Sequence, residues 1–470
     1  MATLPAPPTS SAGPGAARGP SSLAAARVVL DRIVPRGAIA LSVLTLAGYV
    51  MGLVRDRTLT RTFGAGVELD AFNAAFVLPD LAFSVIVASG IAAPFVPIFS
   101  RLRRDSERDA IEFGQTILTI AVGAMGVGAV LLFLAAPLTT DLVAPGFGPG
   151  ERDLYVALFR IMCGTQILFA ASTAIGEVLV VERRFVYYGA APLLFNTGIV
   201  AGTFALGGSL GIYAPAIGAV LGAALHLGVR ALGSLRTPFR LRPRLRVGTT
   251  AIREFFRLAI PKLGSGPIEP LTFFFFTRIG STLVAGSITT INLARNFQSV
   301  PVSLIGIAFS VAAFPSLAAA FAARDRAAFV RLVRTNTVTI GALTTAAAVG
   351  LALVGPITIE IAFGGGRFTA GDVARTSLVL AVFAISIPFE SLGHLLSRAI
   401  YATHHTVWQV IATIAGFVLT VAVTAGLVGP LGPVAIPLGF TTGMALRLVI
   451  LAVVLVRRTR AMPADPVGSA

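Results

Sequence analysis

The chain has 470 residues, 55% of them hydrophobic and 12% charged, with a mean hydropathy of +0.86 and a formal net charge of +16. That is far more apolar side chain than a soluble core requires, so a water-soluble globular protein is excluded. A single cysteine, Cys163, excludes an intrachain disulfide, and four histidines without HExxH, GxSxG or Walker spacing leave no motif for an enzyme, a metal or a cofactor.

Residues 1–36 are rich in Pro, Ala, Gly and Ser and lack the compact apolar region of a signal peptide. They read as a disordered cytoplasmic tail from which nothing is cleaved. Apolar runs of roughly 17 to 25 residues, enough to cross a ~30 Å hydrocarbon layer, then recur along the chain. They lie near 38–56, 70–100, 112–138, 153–181, 187–207, 211–231, 255–283, 287–322, 335–362, 374–401, 407–427 and 432–456. Unpaired backbone is intolerable in lipid and the alternation of barrel strands is absent, so an all-α integral membrane fold of about twelve transmembrane helices is expected.

Charge tests that count. With the N-terminus inside, the inward segments hold 26 of the 37 Arg and Lys residues and the outward loops hold five. Both termini are therefore expected to be cytoplasmic, and the basic stretch 236–257 reads as a cytoplasmic loop resting on anionic headgroups rather than as a nucleic-acid site.

That loop divides the chain into a six-helix half (37–231), a basic linker (232–254), a second six-helix half (255–457) and a cytoplasmic tail (458–470). The halves echo each other at an offset near 220 residues. Pro79 and Pro97 are matched by Pro301 and Pro315, and the Gly-rich loop 144–153 by 362–372. Six helices is an even number, so the halves insert with the same orientation, as in alternating-access transporters with a central cavity between parallel repeats.

An ion inside a span costs about 2.5 to 3.5 kcal/mol on insertion scales, so each one needs water, a partner or a ligand. Arg55 and Asp56 end the first span; adjacent on a helix, they point about 100° apart and are not expected simply to neutralise each other. Asp70 opens the second span, Lys262, Glu269 and Arg278 lie in the seventh, Arg295 in the eighth and Glu390 in the tenth. A cavity lined by cations suits an anionic substrate. A structural ion pair is the competing reading for Arg55 and Asp56, and snorkelling or a local acid such as Glu177 for Arg160 and Arg447. The Pro and Gly of 259–270 predict a break in helix seven.

The run RDRTLTRTFGAGVELDAFNAAFVLPD (55–80), followed by SGIAAPFVPIFSRL (89–102), resembles the MurJ/MviN family, the lipid II flippases of bacterial peptidoglycan synthesis within the MOP transporter superfamily. That family reads Arg-Asp, Phe-Gly-Ala-Gly, Asp-Ala-Phe, Leu-Pro-Asn and Phe-Val-Pro at nearly this spacing. Further matches follow in order at 182–196, 297–317, 364–372 and 400–406. The resemblance implies a multi-pass protein of the bacterial cytoplasmic membrane that flips a lipid-linked, pyrophosphate-bearing precursor to the outer leaflet. Cavity arginines would hold the pyrophosphate, whose geometry a guanidinium fits by paired hydrogen bonds.

By that resemblance, together with the ions buried in the spans, Arg55, Asp56, Asp70, Arg278, Arg295 and Asn296 are the expected substrate-binding residues. The departures are specific. Tyr49 stands where the family usually has an arginine, Ser89 replaces an acid, and Arg295 and Asn296 replace an Asp-Arg pair. Lys262 and Arg278 are expected to restore positive charge from another wall, and Asp56, Asp70, Glu269 and Glu390 to serve any coupling to an ion or to membrane potential. Partners expected are the lipid-linked glycan, membrane lipids and cell-wall synthesis machinery. Export of another lipid-linked oligosaccharide, or a non-transporting scaffold role, stays open as an alternative.

Overall fold

The computed structural model describes residues 36–263, 268–403, 405 and 407–462, with the side chains of 36–39, 89, 92–93 and 261–263 outside that description. Nearly all of the N-terminal tail and most of the C-terminal tail therefore fall outside it. Among the described residues the fold is all-helical apart from turns and one isolated bridge between Gly365 and Phe368.

The first set of helices is α1 (Arg36–Phe63), α2 (Val67–Phe83), α3 (Ser89–Asp105), α4 (Glu107–Val143), α5 (Pro149–Val181), α6 (Phe185–Leu210) and α7 (Tyr213–Ser234). After the linker come α8 (Thr250–Leu263), α9 (Ile268–Gly280), α10 (Ser287–Pro301), α11 (Ala308–Ala322) and α12 (Arg326–Phe363). The chain ends with α13 (Ala370–Ala384), α14 (Ser386–Ala402), α15 (Val407–Leu431) and α16 (Ala435–Arg460). Among the described residues, eight helical stretches are long and apolar enough to span a membrane, or nine if α13 and α14, bent by 40°, form one span. One of the eight holds both α15 and α16, which fold back on each other past Gly432 at φ +54°. The predicted break in helix seven falls between α8 and α9, at residues outside the description.

The sequence echo is a structural one. Each set's second pass carries a π-helical segment at mid-course, Ser84–Ala88 and Val302–Ile307, shortly after Pro79 and Pro301. A proline lacks the N–H that the ladder needs, and a wider π turn accommodates the mismatch. Each set's third pass is capped alike: Ser106 accepts from Asp109 N at the start of α4, and Asp325 from Ala328 N at the start of α12.

The last two passes of each set pack through glycine. In lipid the helices gain nothing by hiding apolar surface from water, so close van der Waals approach must hold them together. A Cβ on Gly198 would lie 2.3 Å from Gly222 Cα across the α6/α7 contact, and one on Gly443 would lie 2.4 Å from Gly416 O across α15/α16.

The basic linker does not hang free. Arg244 and Arg246 pair with Glu112, Gln115 donates to Arg240 O, and Phe239 is buried against Phe99 and Gly114.

Candidate functional site

Between α1, α2, α5 and α6 on one side and α9 and α10 on the other lies a cavity of about 620 Å³. Its charged lining residues are Arg55, Asp56, Asp80 and Glu269, set among asparagines and phenylalanines. Glycine-tight packing of α7 behind α6 holds part of the first-set wall in place.

Arg55 is fixed from two sides. Its Nε and Nη2 donate to Asp56 Oδ1 at 2.9 and 2.7 Å, and its Nη1 donates to Asn196 Oδ1 at 2.9 Å. Asn296 reaches the other Asp56 oxygen at 3.4 Å from the opposite set. The expectation that adjacent residues would not neutralise each other is corrected here. Their Cα–Cβ bonds diverge, but the long arginine arm folds back far enough to pair within its own turn.

The remaining expected residues separate by place. Glu269 and Asn296 line the cavity. Asp70 does not; it is buried at the outer end, where Oδ2 accepts from Gly286 N at 2.7 Å and Oδ1 from Thr289 N at 2.8 Å and Thr289 Oγ1 at 2.7 Å. A carboxylate there satisfies the free N–H groups that open α10 and complements the positive end of its dipole. Arg278 is also drawn away, donating to Asp141 O at 2.8 Å and to Leu142 O at the carbonyl end of α4.

Arg295 turns into the second set. It pairs with Glu390 at 2.9 Å, donates to Gln298 Oε1 and sits 4.8 Å over the Phe440 ring. Gln298 in turn donates to Glu390 Oε2 and Ser386 Oγ at 3.0 and 2.9 Å. Arg295 and Glu390 therefore satisfy each other out of reach of the cavity, the arrangement a buried ion pair requires. Tyr49 is 70% exposed on α1 and does not line the cavity. The side chains of Ser89 and Lys262 lie outside those described. Arg160 sits over the Phe133 ring, and Arg447 lies 3.4 Å from Ser397 Oγ.

Hydrogen bonds between the two sets gather at the outer end, on the side the charge pattern assigns to the exterior. Besides Asp70, Arg57 donates to Ala362 O at 2.8 Å, Arg367 N to Arg61 O at 2.9 Å, Asn73 to Thr289 Oγ1 at 3.2 Å and Gly146 N to Ser281 Oγ at 3.3 Å. Glycine permits this seal. Gly286 at φ +89° brings its backbone against Ala65, and Gly366 at φ +62° against Arg61, where a Cβ would clash. At the inner end, α3 meets α8 through Arg101 and Glu254.

Sequence reasoning passed over three polar residues around the site, Asp80, Gln166 and Asn196. Asp80 takes a hydrogen bond from Gln166 Nε2 at 2.6 Å, and Asn196 positions Arg55. The signal for Asp80 is an acid inside an apolar run where the resembled family has asparagine; Asn196 carries none beyond closing the 182–196 match.

The sequence model of the family described as "Lipid II flippase MurJ" matches residues 59–467 of this chain. A relative from Thermotoga maritima, named a probable lipid II flippase MurJ, is 24% identical over 385 residues, covering 80% of this chain and 76% of that protein. Among solved structures, a lipid II flippase MurJ in an inward closed conformation superposes with a TM-score of 0.77 at 20% identity, covering 88% of this chain and 87% of that one. An inward-facing multidrug resistance MATE transporter of the MOP superfamily superposes at 0.72 with 13% identity, covering 90% of this chain and 98% of that one.

Proposed function

The chain belongs to the lipid II flippase MurJ family, a family of multi-pass transporters of the bacterial cytoplasmic membrane, and we propose that it carries lipid II from the inner to the outer leaflet by alternating access. The observation that carries this reading is Arg55, a guanidinium pre-positioned in a central cavity by Asp56 and Asn196. Oriented donors lose little freedom on meeting a phosphate, and charge-assisted hydrogen bonds are the strong ones.

In this reading the headgroup occupies the cavity while the lipid tail stays in the bilayer. The two sets then rock about the cavity, exchanging the outer seal for closure at the inner end. In this reading the π-helical segments Ser84–Ala88 and Val302–Ile307 serve as the hinges of the second passes. The reaction is translocation without chemical change, so the chain is not an enzyme. Membrane potential is a sufficient bias, at ~2.3 kcal/mol per elementary charge per 100 mV. Partners are the lipid-linked glycan and the cell-wall synthesis machinery that consumes it outside.

Reconstitution tests this directly. Vesicles containing the purified protein and fluorescent lipid II should expose the lipid to a membrane-impermeant reagent faster than protein-free vesicles or vesicles with Arg55→Ala. Equal rates in all three would refute it.

A further inference from the structure

The cavity carries the wrong sign for an anion. Its lining holds one arginine against three carboxylates, and that arginine is paired with Asp56. Among the described residues, neither Asp80 nor Glu269 has a cationic partner. A pyrophosphate entering this space meets like charge from Asp80 and Glu269, both exposed along its lining.

Gln166 supplies a second, independent observation. It is 1% exposed and lines the cavity, and its Nε2 is committed to Asp80 Oδ1. Its Oε1 is buried with no hydrogen-bond partner. Beside an ionised Asp80 this is the favoured amide orientation, because flipping it would turn an acceptor toward the carboxylate. An orphaned buried acceptor costs about 1 to 3 kcal/mol, so the pairing leaves an amide oxygen without a donor on the residue that holds Asp80.

Such a pair of hard oxygens suits a hard cation. Among the described residues no three His, Cys, Asp or Glu side chains lie together in a way that could hold a metal by themselves. Magnesium-class ions do not need that: they keep several waters and are held by one or two carboxylates together with substrate phosphate oxygens. We propose that a divalent cation of this class binds at Asp80 and the Gln166 amide oxygen and bridges them to the pyrophosphate of the substrate. This rests on the flippase reading and deepens it, giving Arg55 and the cation opposite flanks of one headgroup.

The test uses the full chain in lipid nanodiscs, with Mn²⁺ as a paramagnetic substitute for Mg²⁺ and a polyprenyl pyrophosphate as the lipid. The expected result is a Mn²⁺ site that tightens when the lipid is present. Asp80→Asn, which restores the residue of the resembled family, should weaken it at least about ten-fold, as loss of a ligand-shell group does. Gln166→Glu adds a carboxylate and should strengthen it, so the two variants move the affinity in opposite directions and a misfolded protein cannot mimic both. Lipid binding to the unaltered protein should fall at least about ten-fold in EDTA. Lipid binding that is undiminished in EDTA overturns the cation and leaves the flippase reading standing. Mn²⁺ affinity unchanged in both variants also overturns it, by placing the metal elsewhere. Binding of the lipid under neither condition overturns the cation and the flippase reading together.

Discussion

The two sets of helices repeat each other in backbone and differ in where they spend their charge. Each carries a π segment in its second pass, caps its third pass with a short polar side chain and closes its last two passes through glycine. Yet the first set turns Arg55, Asp56 and Asp80 into the cavity, whereas the second gives it Glu269 and folds Arg295, Gln298 and Glu390 into a network of its own. One duplicated scaffold thus presents a reactive wall on one side and a sealed strut on the other. In a membrane chain, the presence of an ion in a span says only that it has found company; the partner decides whether it serves a ligand or the fold.

The largest effect should come from breaking the strut. Glu390→Ala leaves Arg295 buried and unpaired and should cost about 3 to 5 kcal/mol of stability, read as a fall in the thermal midpoint of the detergent-solubilised protein. Replacing both ends, Arg295→Met with Glu390→Gln, should recover most of that loss, because the pair's net contribution against well-packed neutral groups is small.

Next comes the wall. Arg55→Ala removes charge-assisted hydrogen bonds worth about 1.5 to 3 kcal/mol and should slow flipping by roughly ten- to a hundred-fold while leaving the melting profile near the original. Arg55→Lys should recover only part, since an ammonium cannot offer the forked pair of donors.

Asp70 tests a third role, the join between the sets. Asp70→Ala strips three acceptor contacts from the outer seal and should shift the balance toward an outward-open state by about ten-fold. Labelling of a cysteine placed at Asn73 by an external membrane-impermeant thiol reagent should rise accordingly. Smallest of all, Tyr49→Ala should change stability by less than about 0.5 kcal/mol and leave flipping unaltered.

Much of the fold was legible. Apolar run lengths announced an all-helical membrane fold, and the offset between Pro79 and Pro301 pointed to the paired π-helical segments. The site was legible only in part. Arg55, Asp56, Glu269 and Asn296 line the cavity, but Asp70, Arg278 and Arg295 carried the same sequence signal and went elsewhere, because helix termini and a neighbouring acid compete for buried ions as strongly as a ligand does. Helical position also misjudged the Arg55–Asp56 pair, since the direction of a Cβ does not limit an arginine arm. Gln166 and Asn196 gave no warning because neutral amides are unremarkable in sequence; what makes them matter is the side chain opposite, which only the packing of α5 and α6 against α2 and α1 provides.

The most direct measurement is rescue in bacteria depleted of their own lipid II flippase, with membrane insertion confirmed and lipid II assayed in the outer leaflet. The unaltered chain and the Arg295→Met/Glu390→Gln double variant should both restore outer-leaflet lipid II, and Arg55→Ala should not. Rescue by Arg55→Ala, or failure of the double variant at normal membrane levels, would contradict the assignment of the substrate to the first wall.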